Sequence, residues 1–222
     1  MTLLTKGLGK TIKGRTIFQD ISITAPSAEV TGLAGVNGSG KTMLMRAMAG
    51  LIRPTTGTVE IDGQTLWADV AFPPSVGLLI ENPAFLSGRT GLDNLRVLAS
   101  IKDVVDDKRV RQVLDLVGLD PDDRRHFSKY SLGMKQRLGI AAAIMELPRL
   151  LLLDEPTNAL DAAGVKMLTD VVNKMRERGC TIILACHDAH VLRGLSDQVY
   201  YLAEGHLDGH EMLGGRGSHA KA

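Results

Sequence analysis

The chain has 222 residues, 44% hydrophobic and 23% charged, with a formal net charge of +1. That is enough apolar material for a sizeable core without disulfides or structural metals, and two cysteines cannot make a disulfide framework. The near-zero charge and 4% aromatic content argue against a globally basic nucleic-acid binder or a base-stacking platform.

No run of about 18 apolar residues is present, so no segment is expected to span a bilayer. Met1 to Arg15 has no long apolar stretch with a small-residue cleavage site, so no signal peptide is expected. Cys180 and Cys186 fall in or beside an apolar run and are expected to be buried, reduced thiols.

In chain order, Ile17 to Ile23 predicts a strand. Val30 to Leu33 predicts a second, running into the glycine-rich stretch Gly35 to Gly40, after which Met43 to Leu51 has helical composition. Val59 to Ile61 and Val76 to Ile80 predict further strands, the first closed by the turn Asp62-Gly63. From Leu92 to Leu147 the pattern is helical. Leu92, Leu95, Val97, Leu98 and Ile101 predict one apolar face, Val110, Val113, Leu114, Val117 and Leu119 another, and a third helix is expected over about Gly133 to Met145. After Pro148, strand and helix alternate again: Leu150 to Leu153, a helix near Ala162 to Arg178, Thr181 to Ala185, and Val199 to Leu202. Such alternation predicts an α/β domain with a mainly parallel sheet, covered on both faces. The helical middle, about 86–147, reads as an insertion into a single domain of 1–222. Residues 208–222, rich in Gly and containing His210 and His219, read as a flexible tail.

Two local patterns carry chemistry. Gly35-Val36-Asn37-Gly38-Ser39-Gly40-Lys41-Thr42 satisfies the G-x-x-x-x-G-K-[ST] pattern of a P-loop NTPase, between a predicted strand and a predicted helix. Its glycines let backbone N–H groups converge on a phosphate, and the following helix adds its positive end. Lys41 would meet the β- and γ-phosphates of ATP and Thr42 would ligate Mg²⁺, with Asn37, Gly38, Ser39, Gly40 and Met43 completing the contact. The run Leu150 to Leu153 ends in Asp154-Glu155, at a strand edge where open α/β sheets bind ligands. There Asp154 would hold Mg²⁺, directly or through water, and Glu155 would orient or deprotonate an attacking water.

With these motifs the chain resembles the ATP-binding cassette ATPases, the nucleotide-binding subunits of ABC transporters, from about Leu4 to about Leu207. Tyr130-Ser131-Leu132-Gly133-Met134 stands at the family's signature, Asn158-Ala159-Leu160-Asp161 at its D-loop, and His187 at its switch histidine. The resemblance implies that Ser131 and Gly133 meet ATP held by a second nucleotide-binding domain, with Asp161 nearby, in an ATP-dependent dimer. It also implies a separate transmembrane permease, a place on the cytoplasmic face of the membrane, and no nucleic-acid partner. Ile80-Glu81-Asn82-Pro83 carries Glu81 where the family usually has Gln, and with the divergent signature it is similar to bacitracin- and lantibiotic-resistance export ATPases. Glu81 would accept a Mg²⁺-bound water. Ile12 stands where the family usually stacks an aromatic residue on adenine, so no stacking residue is assigned, and Phe18 is expected in the core. The expected cargo is a peptide antibiotic or similar amphipathic compound. A non-transport ABC ATPase acting on nucleic acid or ribosomes is the alternative.

Overall fold

The computed structural model describes residues 1–214; His219 and the rest of 215–222 lie outside the described residues. The elements in order are β1 (Leu3–Ile12), β2 (Arg15–Ala25), β3 (Val30–Ala34), α1 (Lys41–Met48), β4 (Thr56–Ile61), β5 (Gln64–Thr65) and β6 (Val76–Leu79). Then follow α2 (Gly91–Lys102), α3 (Asp107–Leu116), α4 (Leu132–Ile144), β7 (Leu150–Asp154), α5 (Ala162–Glu177), β8 (Thr181–Ala185), α6 (Ala189–Leu195), β9 (Gln198–Ala203) and β10 (His206–Met212).

The strands form two sheets. One has the order β10-β9-β3-β8-β7-β6, parallel throughout except for the antiparallel edge strand β10. The other is antiparallel, in the order β2-β1-β4-β5. The predicted strand at Ile17 to Ile23 therefore belongs to this second sheet and not to the parallel one. β1 and β2 are joined by Lys13-Gly14, both at positive φ (49° and 78°), as a two-residue hairpin matched to strand twist requires.

Every residue of β7 and β8 is buried. Side chains alternate across a strand, so the two strands feed two cores. Leu150, Leu152 and Ile183 face one core, filled by Leu44, Met45 and Met48 of α1 together with Leu3, Leu8, Phe18 and Ile21 of the antiparallel sheet. Leu151, Leu153, Ile182 and Leu184 face the other, filled by α2 to α5. Phe18 is thus a core residue. Cys180 and Cys186 are buried and unpaired, and burial pushes the Cys180 thiol up to about 12.

The three helices between β6 and β7 have side-chain caps at their starts: Thr90, Asp106 and Ser131 accept from the backbone N–H groups of Asp93, Arg109 and Met134. α4 lies directly on β6, where any side chain at Gly77 would run into the Ala143 carbonyl. The expected face of α2 is only partly the observed one. Leu92, Leu95 and Ala99 are buried, whereas Val97 is 38% and Ile101 74% exposed. Spacings of three and four keep 92, 95 and 99 on one side, and 97 and 101 fall outside that stripe.

The expected tail also differs. Residues 208–212 belong to β10, paired with β9. The His210 ring stacks on Tyr200 at 4.1 Å and its Nε2 lies 2.8 Å from Gln198 Oε1, while Glu211 accepts from Arg193 and from the Tyr201 hydroxyl. Side-chain partners across the ladder hold a segment whose composition alone reads as tail.

Candidate nucleotide site

The chemistry-bearing residues collect at the carboxyl edge of the parallel sheet, where β3 runs into Gly35, β6 into Glu81, β7 ends at Asp154 and β8 leads to His187. The first loop reaches α1 through Gly38 and Gly40, at φ 81° and 104°, conformations that favour glycine. The Lys41 ammonium folds back under the loop, donating to the Gly35 carbonyl at 2.6 Å and the Val36 carbonyl at 3.2 Å. Ile17, Asn37, Gly38, Ser39, Gly40, Lys41, Thr42 and Met43 line a cavity of about 220 Å³ that Asp154 and Glu155 close.

Thr42 Oγ1 donates to Asp154 Oδ2 at 2.6 Å. Asp154 is only 4% exposed, and its other oxygen, Oδ1, is buried without a hydrogen-bond partner among the described residues. Burial above all holds this carboxyl above the ordinary range. The charges of Glu155 and Glu81 add to that, while the Thr42 hydroxyl and Lys41 act against it. An orphaned, desolvated carboxylate oxygen beside a threonine hydroxyl is a donor set that fits a hard divalent cation. Among the described residues no three His, Cys, Asp or Glu side chains converge as a metal cage. A cation would therefore complete its shell with phosphate oxygens and water.

Glu155 sits at φ 49°, and its backbone N–H is anchored to the Ala185 carbonyl at 2.8 Å. Its Oε2 lies 2.7 Å from His187 Nδ1 and also accepts from the His187 backbone N–H at 3.3 Å. A second cleft, of about 410 Å³, shares Thr42, Asp154 and Glu155 with the first and adds Glu81, Asn82, Gln136 and Asn158. Glu81 has φ 60° and its Oε2 pairs with Arg46 Nη2 at 2.8 Å.

Gly35 to Met43, Glu81, Asp154, Glu155 and His187 are thus gathered at one edge. Ser131, Gly133 and Asp161 are not brought to it. They line a separate surface cavity of about 470 Å³ with Leu132, Arg137 and Ala159. There Ser131 caps α4 and Asp161 caps α5, accepting from Gly164 N at 2.8 Å and pairing with Arg137 at 3.4 Å. A Cβ on Gly133 would lie 2.8 Å from the Ala159 carbonyl oxygen. The space this glycine leaves open is thus occupied by its own chain. Sequence reasoning did not single out Arg46, Gln136 or Ile17. Gln136 Nε2 donates to the Glu155 carbonyl at 3.1 Å, and Ile17 lines the phosphate-loop cavity, whereas Ile12 lies 38% exposed at the β1–β2 hairpin.

A family model described as ABC transporter matches residues 18–158. An uncharacterized ABC transporter ATP-binding protein of Bacillus subtilis, YybJ, is 44% identical over 206 residues, covering 93% of this chain and 94% of that protein. The bacitracin transport ATP-binding protein BcrA of Enterococcus faecalis is 41% identical, covering 92% of this chain and 66% of its own length. The lantibiotic transport ATP-binding protein SrtF of Streptococcus pyogenes is 33% identical, covering 91% and 87%. Among solved structures, the dimeric structure of a bacterial ABC transporter cassette superposes with a TM-score of 0.87 at 25% identity, over 96% of this chain and 99% of that one.

Proposed function

The chain belongs to the ABC transporter family as an ATP-binding protein, and on that premise we propose that it powers export of a peptide antibiotic, or a similar amphipathic compound, through a separate membrane permease. It is an ATPase of the cassette type. The names of BcrA and SrtF support the cargo class. Among the described residues no helix is long and apolar enough to cross a membrane. The subunit works on the cytoplasmic face of the membrane, as one of a pair of nucleotide-binding domains that ATP brings together.

In this reading the loop from Gly35 to Thr42 wraps the phosphates of ATP and Lys41 meets the β- and γ-phosphates. Thr42 and Asp154 would hold Mg²⁺, and Glu81, which lines the same cleft, would support its binding. The ion, when bound, neutralises phosphate charge. Glu155 accepts a proton from the attacking water, and His187 fixes the carboxylate that does so. Ser131, Gly133 and Asp161, remote from the chain's own loop, serve the nucleotide of the partner domain. Helices α2 to α4, spanning about 86–147 with their connections, form the subdomain that meets the permease. Asn94, buried, binds the Leu86 backbone through both its amide atoms and so ties the loop after β6 to α2. Leu86, Ile101 and Val104 in this subdomain are exposed apolar side chains available to a partner.

The observation that carries the proposal is the contact of Glu155 Oε2 with His187 Nδ1 next to the Thr42–Asp154 pair. Glu155→Gln tests it. ATP affinity should persist while hydrolysis slows by about 10²–10⁴, the usual worth of a positioned base, and an ATP-bound dimer should accumulate on size-exclusion chromatography. Wild-type turnover by the variant would assign the base elsewhere. Export itself is read as drug tolerance of cells carrying the subunit with its permease; tolerance unchanged by loss of turnover would remove the transport assignment.

A further inference from the structure

Thr42 and Arg46 stand four residues apart on α1, on one face of the helix. Thr42 points its hydroxyl at Asp154, and one turn further Arg46 meets Glu81. The helix that begins at the phosphate loop therefore also holds the loop that leaves β6. Glu81, Asp154 and Glu155 all line the 410 Å³ cleft, so three carboxylates share one acidic space. Arg46 is the ion-pair partner of the first of them, through Glu81 Oε2. The guanidinium is steadied by its own helix, where Nη1 lies 3.8 Å from the Met43 sulfur.

We propose that Arg46 is a positioning residue for cation binding beside the nucleotide: by holding Oε2 of Glu81 it leaves Oε1 to the cleft, and it thereby makes a carboxylate, not an amide, the side chain required at position 81. The inference rests on the proposed cation site at Thr42 and Asp154. Its basis is the acceptor inventory. A carboxylate has two acceptor oxygens and can serve a guanidinium and a metal-bound water together. An amide has one. With Arg46 present, the oxygen of a glutamine at 81 goes to the guanidinium, and its NH₂ group, a donor, faces the cleft where an acceptor is needed. Without Arg46 the amide is free to turn its oxygen inward.

The test is a cycle of four proteins: the parent, Glu81→Gln, Arg46→Met, and the double variant. Each is loaded with ADP, and Mn²⁺ affinity is measured by electron paramagnetic resonance. Methionine keeps an apolar stem beside Met43, and Arg46→Ala repeats the cycle with a shorter one. ADP affinity in chelator reports folding and should stay constant, because the phosphate loop is untouched. Glu81→Gln should weaken Mn²⁺ binding by about three- to tenfold in the presence of Arg46, the scale of one misdirected hydrogen bond. In the Arg46→Met background the same change should cost about twofold or less. An equal loss in both backgrounds overturns the role of Arg46. Asp154→Asn separates the two levels of the argument. Parental Mn²⁺ affinity in that variant overturns the cation site itself. Weakened affinity there, together with an equal cost of Glu81→Gln in both backgrounds, leaves the cation site standing and overturns only the inference about Arg46.

Discussion

Gly133→Ala separates two accounts of the divergent signature by the sign of its effect. Gly133 is the second residue of α4 and its φ is not positive, so alanine is conformationally permitted there. Helix propensity alone would make the variant more stable, by up to about 1 kcal/mol. If the glycine were needed only to let a partner's nucleotide approach, an isolated subunit would show that gain. The structure predicts the reverse. The added Cβ would lie 2.8 Å from the Ala159 carbonyl oxygen, and ordinary contact begins at 3.4 Å. The loop must therefore retreat by roughly 0.6 Å, and it is a poor place to yield. Ala159 is at φ 60°, between the turn bonds Asn158 N–H to the Glu155 carbonyl and Leu160 N–H to the Thr157 carbonyl. Forcing a methyl group into such a contact costs about 1–3 kcal/mol. The net expectation is a loss of about 1 kcal/mol. At a urea m-value of about 2–3 kcal/mol/M this lowers the unfolding midpoint by about 0.3–0.5 M. The assay is urea unfolding of the nucleotide-free subunit. A raised midpoint would refute the intrachain role.

Two further substitutions probe the site and its support. Burial, and after it the charges of Glu155 and Glu81, raise the Asp154 carboxyl above its usual range. The folded state then holds a proton that the unfolded chain has released between the ordinary and the raised value, so stability falls as pH climbs through that window and stays reduced above it. Asp154→Asn should accordingly melt at a higher temperature than the parent at pH 7 without nucleotide or metal, and the difference should close at pH below about 4, under the ordinary Asp pKa. A lower melting temperature at pH 7 would contradict the sign. Gly77→Ala places a methyl group against the Ala143 backbone carbonyl, which has no flexible side chain to give way, so α4 cannot stay on β6; a loss of about 3 kcal/mol or more is expected, read as soluble yield and unfolding midpoint, and a parental midpoint would refute it.

The parts of the molecule legible in its sequence are those whose signal is local. The phosphate loop is eight consecutive residues, and Asp154-Glu155 closes a continuous apolar run, so both could be placed on a strand end from the chain alone. β1 was not visible as a strand. Its glycines at 7 and 9 and its register shifts after Thr5 and Leu8 break the alternation that marks a half-buried strand. β10 was hidden for the opposite reason: it is an edge strand, mostly exposed, and its order comes from β9 beneath it. Strand pattern also carries no information on which sheet a strand joins, so Ile17 to Ile23 reads as a strand without revealing that it belongs to the antiparallel sheet. Arg46 and Glu81, well apart along the chain, are both charged and partly exposed, and nothing in their spacing distinguishes them from other surface ions.

The seating of α4 on β6 has a mechanical consequence. The helix touches the sheet most closely near its C-terminal end, at Ala143 over Gly77, and again at Gly139 against Leu79 and Pro83. Ser131, at its other end, is about 18 Å away along the axis at 1.5 Å per residue. Its N-terminal end is seated as well, through Gly133 on the Ala159 turn, so the helix swings only as a rigid arm that carries that turn with it. A tilt of about 5° about the Gly77 contact sweeps Ser131 through about 1.6 Å, more than half the length of an ordinary hydrogen bond. Displacements at the carboxyl end of β6, where Glu81 and Asn82 line the acidic cleft and Pro83 meets Gly139, would therefore reach Ser131 enlarged rather than damped, without any change in the helix itself.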